Sequence, residues 1–180
     1  MLNRFTVQLP VATALLAASG IALAATASTY IPVSASVADS CTISTASAIA
    51  FGAYDPTGAN KTAALNATGQ ISVSCSKGAT GPKIGMDDGT HVAGGQRQMM
   101  GSTATNLLQY NIFQPPSNAP STACVFPGTT AWTITGAGLL TIASAPSRVA
   151  RLFNVCGTVP GGQDASPDTY TDTLGATINF

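Results

Sequence analysis

Leu174-Gly175-Ala176-Thr177-Ile178-Asn179-Phe180 alternates apolar residues with glycine or polar ones up to the last residue of the sequence. Side chains along a strand point to opposite faces in turn, so Leu174, Ala176, Ile178 and Phe180 are expected on one face of a core strand. Nothing follows in the sequence that could cover the edge beside this strand, and a long uncovered edge is a template for pairing with another chain. The other end supplies a counterpart. In Tyr30-Ile31-Pro32-Val33-Ser34-Ala35-Ser36-Val37, the residues Ile31, Val33, Ala35 and Val37 form an apolar stripe, while the opposite face is mostly small and polar. Pro32 cannot donate to a ladder, which places the segment at a sheet edge or in an added strand rather than at the centre of a preformed sheet.

Between these ends the period is two throughout. Ile71, Val73 and Cys75 alternate with Ser72 and Ser74, Leu108, Tyr110 and Ile112 with Gln109 and Asn111, and Phe153 and Val155 flank Asn154. Turn chemistry separates the strands at Asp55-Pro56-Thr57-Gly58, Asp87-Asp88-Gly89, Gly94-Gly95, Pro115-Pro116-Ser117-Asn118, Pro127-Gly128 and Pro160-Gly161-Gly162. After the first two dozen residues no window sustains apolar residues at helical spacing, so the class is all-β, a sandwich or barrel. Ser, Thr, Ala, Gly, Val and Ile dominate, and only 8% of residues are charged, against the usual quarter.

Residues 1–24 have the organisation of a secretory signal peptide: Arg4 is the positive region, Val11 to Leu23 the apolar region, and Ala22-Leu23-Ala24 the cleavage site. The apolar run is shorter than the ~20 residues of a spanning helix. Cleavage before Ala25 leaves about 155 residues, one ordinary domain with a single core. Intact-mass measurement of surface material is expected to find a chain beginning at Ala25, give or take a few residues, and retained Met1 would remove this premise. Without Arg4, six basic residues stand against seven Asp and no Glu, a net charge of 6 − 7 = −1, which argues against a nucleic-acid partner. In an exported chain, Cys41, Cys75, Cys124 and Cys156 are expected to oxidise. Four cysteines allow three pairings; Cys41 with Cys75 and Cys124 with Cys156 is favoured, each closing a loop of about thirty residues. The spacing lacks the C-x2-C or H-x3-H pattern of zinc sites, so no metal is expected.

No catalytic constellation is visible, and the expectation is that the protein is not an enzyme and needs no cofactor. His91 is the only histidine and reads as a solvated loop residue. No G-x-S-x-G, H-E-x-x-H or P-loop pattern occurs. Asp87 and Asp88 lack the spacing of a calcium loop and read as an Asx turn before Gly89. Asp172 and Tyr170 read as a structural tie at the start of the last strand, and Trp132 as core rather than as a sugar-stacking platform. A freestanding binding module would call for a second domain or a complete fold, and a hydrolase for a catalytic cluster; neither is seen.

Several blocks occur together in order: Cys41-Thr42-Ile43 after the alternating extension, Phe51-Gly52-Ala53-Tyr54-Asp55-Pro56, Ala67 to Cys75, the Asp88-Gly89 turn, Arg97-Gln98-Met99, Leu107 to Ile112, Gly157-Thr158-Val159-Pro160, and Tyr170-Thr171-Asp172-Thr173 leading to Phe180. In these the chain resembles the spore coat protein U domain family, which includes subunits of archaic, Csu-type chaperone-usher pili, over essentially all of residues 25–180. The resemblance implies an incomplete, six-stranded immunoglobulin-like β-sandwich lacking its last strand and completed by a donor strand. It divides the chain into a signal peptide (1–24), a donor-strand extension (25–40) and a pilin domain (41–180). Ile31, Val33, Ala35 and Val37 would be the donor residues, and Leu174, Ala176, Ile178 and Phe180 the edge offered to a chaperone. The implied partners are a periplasmic chaperone, an outer-membrane usher and neighbouring subunits, and the implied role is a cell-surface pilus supporting attachment and biofilm formation. A coat-layer or freestanding binding protein of the same fold is the alternative. Cys156 departs from the family, which more often has an aromatic residue there, and its partner Cys124 lies in a Pro-rich insertion from Pro115 to Pro127.

Overall fold

The computed structural model describes residues 25–180, so the signal-peptide reading of residues 1–24 lies outside the described residues. The chain divides into two units, Met1–Ser36 and Val37–Phe180. The described part of the first, residues 25–36, is exposed and carries no strand.

The second unit is all-β. Its strands are β1 (Cys41–Ser47), β2 (Leu65–Cys75), β3 (Lys83–Met86), β4 (Val92–Ala93), β5 (Gln96–Met100), β6 (Leu107–Gln109), β7 (Asn111–Phe113), β8 (Leu140–Thr141), β9 (Arg151–Val159) and β10 (Ala176–Asn179). All pairings are antiparallel, in three sheets ordered β1-β2-β9-β7, β10-β3-β8 and β4-β5-β6. The one departure from strand and turn is a 3-10 turn at Gly136–Gly138.

The core follows from alternation. On β2, Ile71, Val73 and Cys75 are buried, whereas Gln70, Ser72 and Ser74 are partly exposed. Leu108, Tyr110 and Ile112 are buried in the same rhythm, although Tyr110 falls between β6 and β7, so the single strand expected there is broken. β9 departs from simple alternation, because Phe153 to Gly157 are buried on both faces. The Pro-rich insertion explains this: the Ser121 N–H donates to the Leu152 carbonyl (2.7 Å), the Asn154 amide donates to the Thr122 carbonyl (2.7 Å), and Cys124 is bonded to Cys156. The insertion therefore covers the outer face of the sheet, and Asn154, accepting from Gln70 (2.9 Å), is buried with its polar groups paired.

Trp132 is wholly buried, and its indole N–H donates to the Ile84 carbonyl (2.9 Å), so the expected core role holds. Beside it lies Arg97, 7% exposed, which the sequence marks only as part of Arg97-Gln98-Met99. Its guanidinium donates to the carbonyls of Asp87 (2.6 and 2.9 Å) and Trp132 (2.8 Å), which compensates a charge that would otherwise be costly to bury. Three separate segments, β3, β5 and the Trp132 loop, are joined through that one side chain.

Candidate functional site

Two strands stand at sheet edges and face each other. β1 pairs with β2 alone and β10 with β3 alone. Between Thr45–Phe51, which continue from β1, and Tyr170–Ala176, which lead into β10, runs a groove of about 360 Å³ with Ile71, Val155, Met86, Met99 and Tyr110 on its floor. It passes a neck formed by Ile49, Phe51, Met99 and Tyr170 into a second stretch of about 580 Å³, bounded by residues 50–56 and 165–170. The early residues of one lip share the first stretch with the late residues of the other, so the lips run in opposite directions. A strand laid between them would run antiparallel to one lip and parallel to the other.

Each lip is held by identifiable chemistry. On the first, Ile49 and Phe51 lie on bare sheet backbone: a Cβ added at Gly69 would meet Ile49 at 2.5 Å, and one added at Gly157 would meet Phe51 at 2.8 Å and Ile49 at 2.9 Å. The Phe51 ring also tilts against Tyr110, with centroids 6.3 Å apart. Beyond it the Tyr54 hydroxyl donates to the Pro160 carbonyl (3.0 Å) and accepts from the Gln163 N–H (2.9 Å). Asp55 accepts from the N–H groups of Thr57 (3.0 Å) and Gly58 (2.8 Å), closing the turn, and these bonds hold its pKa below the ordinary value. The block Phe51-Gly52-Ala53-Tyr54-Asp55-Pro56 thus builds a lip. Gly157→Ala is expected to displace Phe51 and destabilise the fold by about 1 to 3 kcal/mol, the usual cost of overpacking; urea unfolding of the two chains would measure it, and an unchanged midpoint would contradict the contact.

Three carboxylates hold the second lip. Asp87 accepts from the Gly175 N–H (2.8 Å) and from the Gly89 N–H (3.0 Å), the Asx turn expected there. Asp168 accepts from the Ser102 N–H (2.7 Å) and hydroxyl (2.8 Å) and from the Asn106 amide (2.8 Å); these hydrogen bonds hold it well below the ordinary carboxylate range. Asp172, its side chain 3% exposed, accepts from the Tyr110 hydroxyl (2.6 Å) and from the Thr90 hydroxyl (2.6 Å) and N–H (3.0 Å), and lies 3.0 Å from His91 Nδ1. Burial pushes the Asp172 carboxyl up, but the bonds from Thr90 and Tyr110 outweigh it and the pKa is lowered. Burial, then the bond to Asp172, raises the Tyr110 phenol. The structural tie expected of Asp172 and Tyr170 is therefore two ties: Asp172 binds Tyr110, while Tyr170 donates to the Ser166 carbonyl (2.8 Å), a corner of the kind found in sandwiches. His91 is partly buried against Asp172 rather than freely solvated.

A carboxyl with a lowered native pKa stabilises the fold above its unfolded value of about 3.9, and that stability is lost as pH falls through the lowered native value. Asp172→Asn is accordingly expected to lower the melting temperature at pH 7, and the gap from the unaltered chain should narrow as pH drops below about 4. Thermal melts across that range check it; a gap independent of pH would remove the carboxylate's role.

Of the expected site residues, Leu174 and Ala176 line the groove. Ile178 is partly buried, opposite Ile84 of β3, and Phe180 is 57% exposed. Ile31, Val33 and Val37 are 82%, 92% and 89% exposed, and Ala35 is exposed as well. Cys41 is bonded to Cys75, joining the start of β1 to the end of β2, and Cys124 to Cys156. Met86, Met99 and Tyr110 also line the groove, a place the sequence does not show, because apolar or aromatic character marks a core without distinguishing a core face from a groove floor. No group of three metal-ligating side chains occurs among the described residues.

The fold and groove define an all-β domain whose core opens between two free strand edges. The chain belongs to the Spore Coat Protein U domain family, whose model matches residues 27–177, a range that takes in both Ile31–Val37 and the two lips. It is 32% identical to Protein U of Myxococcus xanthus over 183 aligned positions, covering 94% of this chain and 93% of that one. Among solved structures it is similar to the CsuC-CsuE chaperone-tip adhesion subunit pre-assembly complex from archaic chaperone-usher Csu pili of Acinetobacter baumannii, at 20% identity and a TM-score of 0.48. That match covers 80% of this chain, which spans 40% of the matched chain's length.

Proposed function

We propose that this protein is an exported structural subunit of a chaperone-usher pilus that polymerises by donor-strand complementation. The observation carrying the proposal is the pairing, within one chain, of an apolar groove between two free strand edges with an exposed segment whose apolar residues recur every second position. Ile31, Val33, Ala35 and Val37 of one copy enter the groove of the next, where Leu174 and Ala176 form one wall, and the backbone of the added strand hydrogen-bonds to the free edges of β1 and β10. Before assembly a periplasmic chaperone occupies the same groove, and an outer-membrane usher exchanges it for the neighbour's extension. Surface attachment and biofilm formation are the roles such a fibre would serve, and two disulfides suit a route through the periplasm. The name of the family supports a second use of the same fold, as a component of an outer coat layer.

A polymer held by an inserted strand in each groove is expected to survive mild heating in detergent and to come apart on boiling. A gel of surface extract is expected to show a ladder of multiples of the subunit after mild heating and a single band after boiling. A single band under both conditions would favour a freestanding protein. The isolated subunit, without a chaperone, is expected to aggregate or self-associate, which sedimentation would detect; a stable two-state monomer would contradict the open groove.

A further inference from the structure

We propose that Met99 is an oxidation site gated by groove occupancy: a two-electron oxidant such as hydrogen peroxide converts its thioether to the sulfoxide while the groove is open, and the oxidised groove no longer accepts a strand. The inference rests on the strand-acceptor reading above. Residues 25–180 contain three methionines, Met86, Met99 and Met100. Met99 lines both stretches of the groove at its neck and is only partly buried. Met86 borders the first stretch but is 3% exposed. Met100, the next residue on β5, is partly buried like Met99 yet lines neither stretch, because successive side chains take opposite faces.

Neither thiol nor indole competes with the methionines for the oxidant. All four cysteines are in disulfides, and Trp132 has no exposed surface. The reaction balances without further parts: a sulfur lone pair attacks one peroxide oxygen, the O–O bond breaks, the sulfur–oxygen bond forms, and the departing hydroxide takes the remaining proton to become water. Sulfur is oxidised by two electrons and peroxide is reduced by two. The product turns a flexible apolar side chain into a polar one. Its oxygen would stand among Ile49, Phe51 and Tyr170 at the neck, and a strand inserted over it would bury a strong acceptor among apolar side chains. A strand already seated would instead cover the sulfur.

The test uses the full-length Val33→Asp chain, whose own extension is expected not to enter a groove, with and without a synthetic peptide of residues 27–40 in the unaltered sequence. After hydrogen peroxide treatment, sulfoxide at each methionine is counted by peptide mass spectrometry, and peptide affinity is measured before and after. The peptide is expected to slow oxidation of Met99 by about tenfold or more while changing that of Met100 by less than about twofold. Peroxide should weaken peptide binding by roughly tenfold or more, and in Met99→Leu it should leave whatever affinity that variant has unaltered. If the peptide binds but Met99 reacts equally fast with and without it, or if oxidised and untreated chains bind it equally, the proposal is overturned. Failure of the peptide to bind the untreated chain contradicts the strand-acceptor reading itself, a separate readout.

Discussion

Val33→Asp is expected to abolish fibre assembly while leaving the subunit's own folding and its chaperone complex intact. Ile31, Val33 and Val37 are each more than four-fifths exposed, so their burial in a neighbour would supply the driving force, at roughly 1.5 to 3 kcal/mol for each side chain. An aspartate in that stripe would bring an unpaired carboxylate into an apolar groove, which would erase much of the gain. Because residues 25–36 form no strand, the substitution disturbs no ladder in the donor. Ile31→Asp should behave in the same way. Ser34→Asp, on the opposite face, should be tolerated far better, since its side chain would point away from the groove. Fibre yield by electron microscopy and chaperone co-purification, taken together for the three variants, check this. Normal fibres from Val33→Asp would reduce the segment to a tether, and equal loss of the chaperone complex would make it part of the subunit's own core.

Removing the Cys41–Cys75 bond is expected to cost more than removing Cys124–Cys156, although the two close nearly equal loops. The sequence separations are 34 and 32 residues, so on the loop-entropy model each contributes roughly 3 to 4 kcal/mol. For a chain of this size that corresponds to a fall in melting temperature on the order of 6 to 16 °C. The difference between them comes from position. Cys41 begins β1, an edge strand held from one side only, and β1 leads into the first lip. Cys124 ties down an insertion on the outer face of β9, away from the groove. Serine replacement of Cys41 and Cys75 should therefore reduce both stability and capture of a donor peptide, while replacement of Cys124 and Cys156 should reduce stability alone. Paired melts and peptide-binding titrations check it, and equal loss of peptide binding in both variants would show that the first lip does not depend on its disulfide.

The strands were legible wherever one face is buried and the other wet, as in β2, because a period of two is a direct consequence of half-burial. β9 was less so: Asn154 and Cys156 are buried by an insertion some thirty residues away, and no local pattern reports that. The second lip was legible only in outline. Alternation from Leu174 to Phe180 marks a strand, yet β10 occupies Ala176–Asn179, and the stretch before it is held by Asp87, Asp168 and Asp172 through bonds to backbone and hydroxyl groups distant in sequence. Polar ties of this kind leave no periodicity. The same holds for Arg97, whose carbonyl partners come from Asp87 and Trp132. Gly69 and Gly157 could be read as weak points in strands; that they make room for Ile49 and Phe51 required the fold.

If the extension of one copy lies in the groove of another, a cross-link can be formed between the two. Val33→Cys in one population of subunits and Ala176→Cys in a second place a thiol on the donor stripe and another in the groove wall. After co-assembly and mild oxidation, a boiled non-reducing gel is expected to show a covalent dimer containing one subunit of each kind, abolished by reductant and absent when either population is assembled with unaltered subunits alone. Fibres that form normally from the mixture yet yield only monomer across several neighbouring cysteine pairs, such as Ile31→Cys with Ala176→Cys, would contradict it.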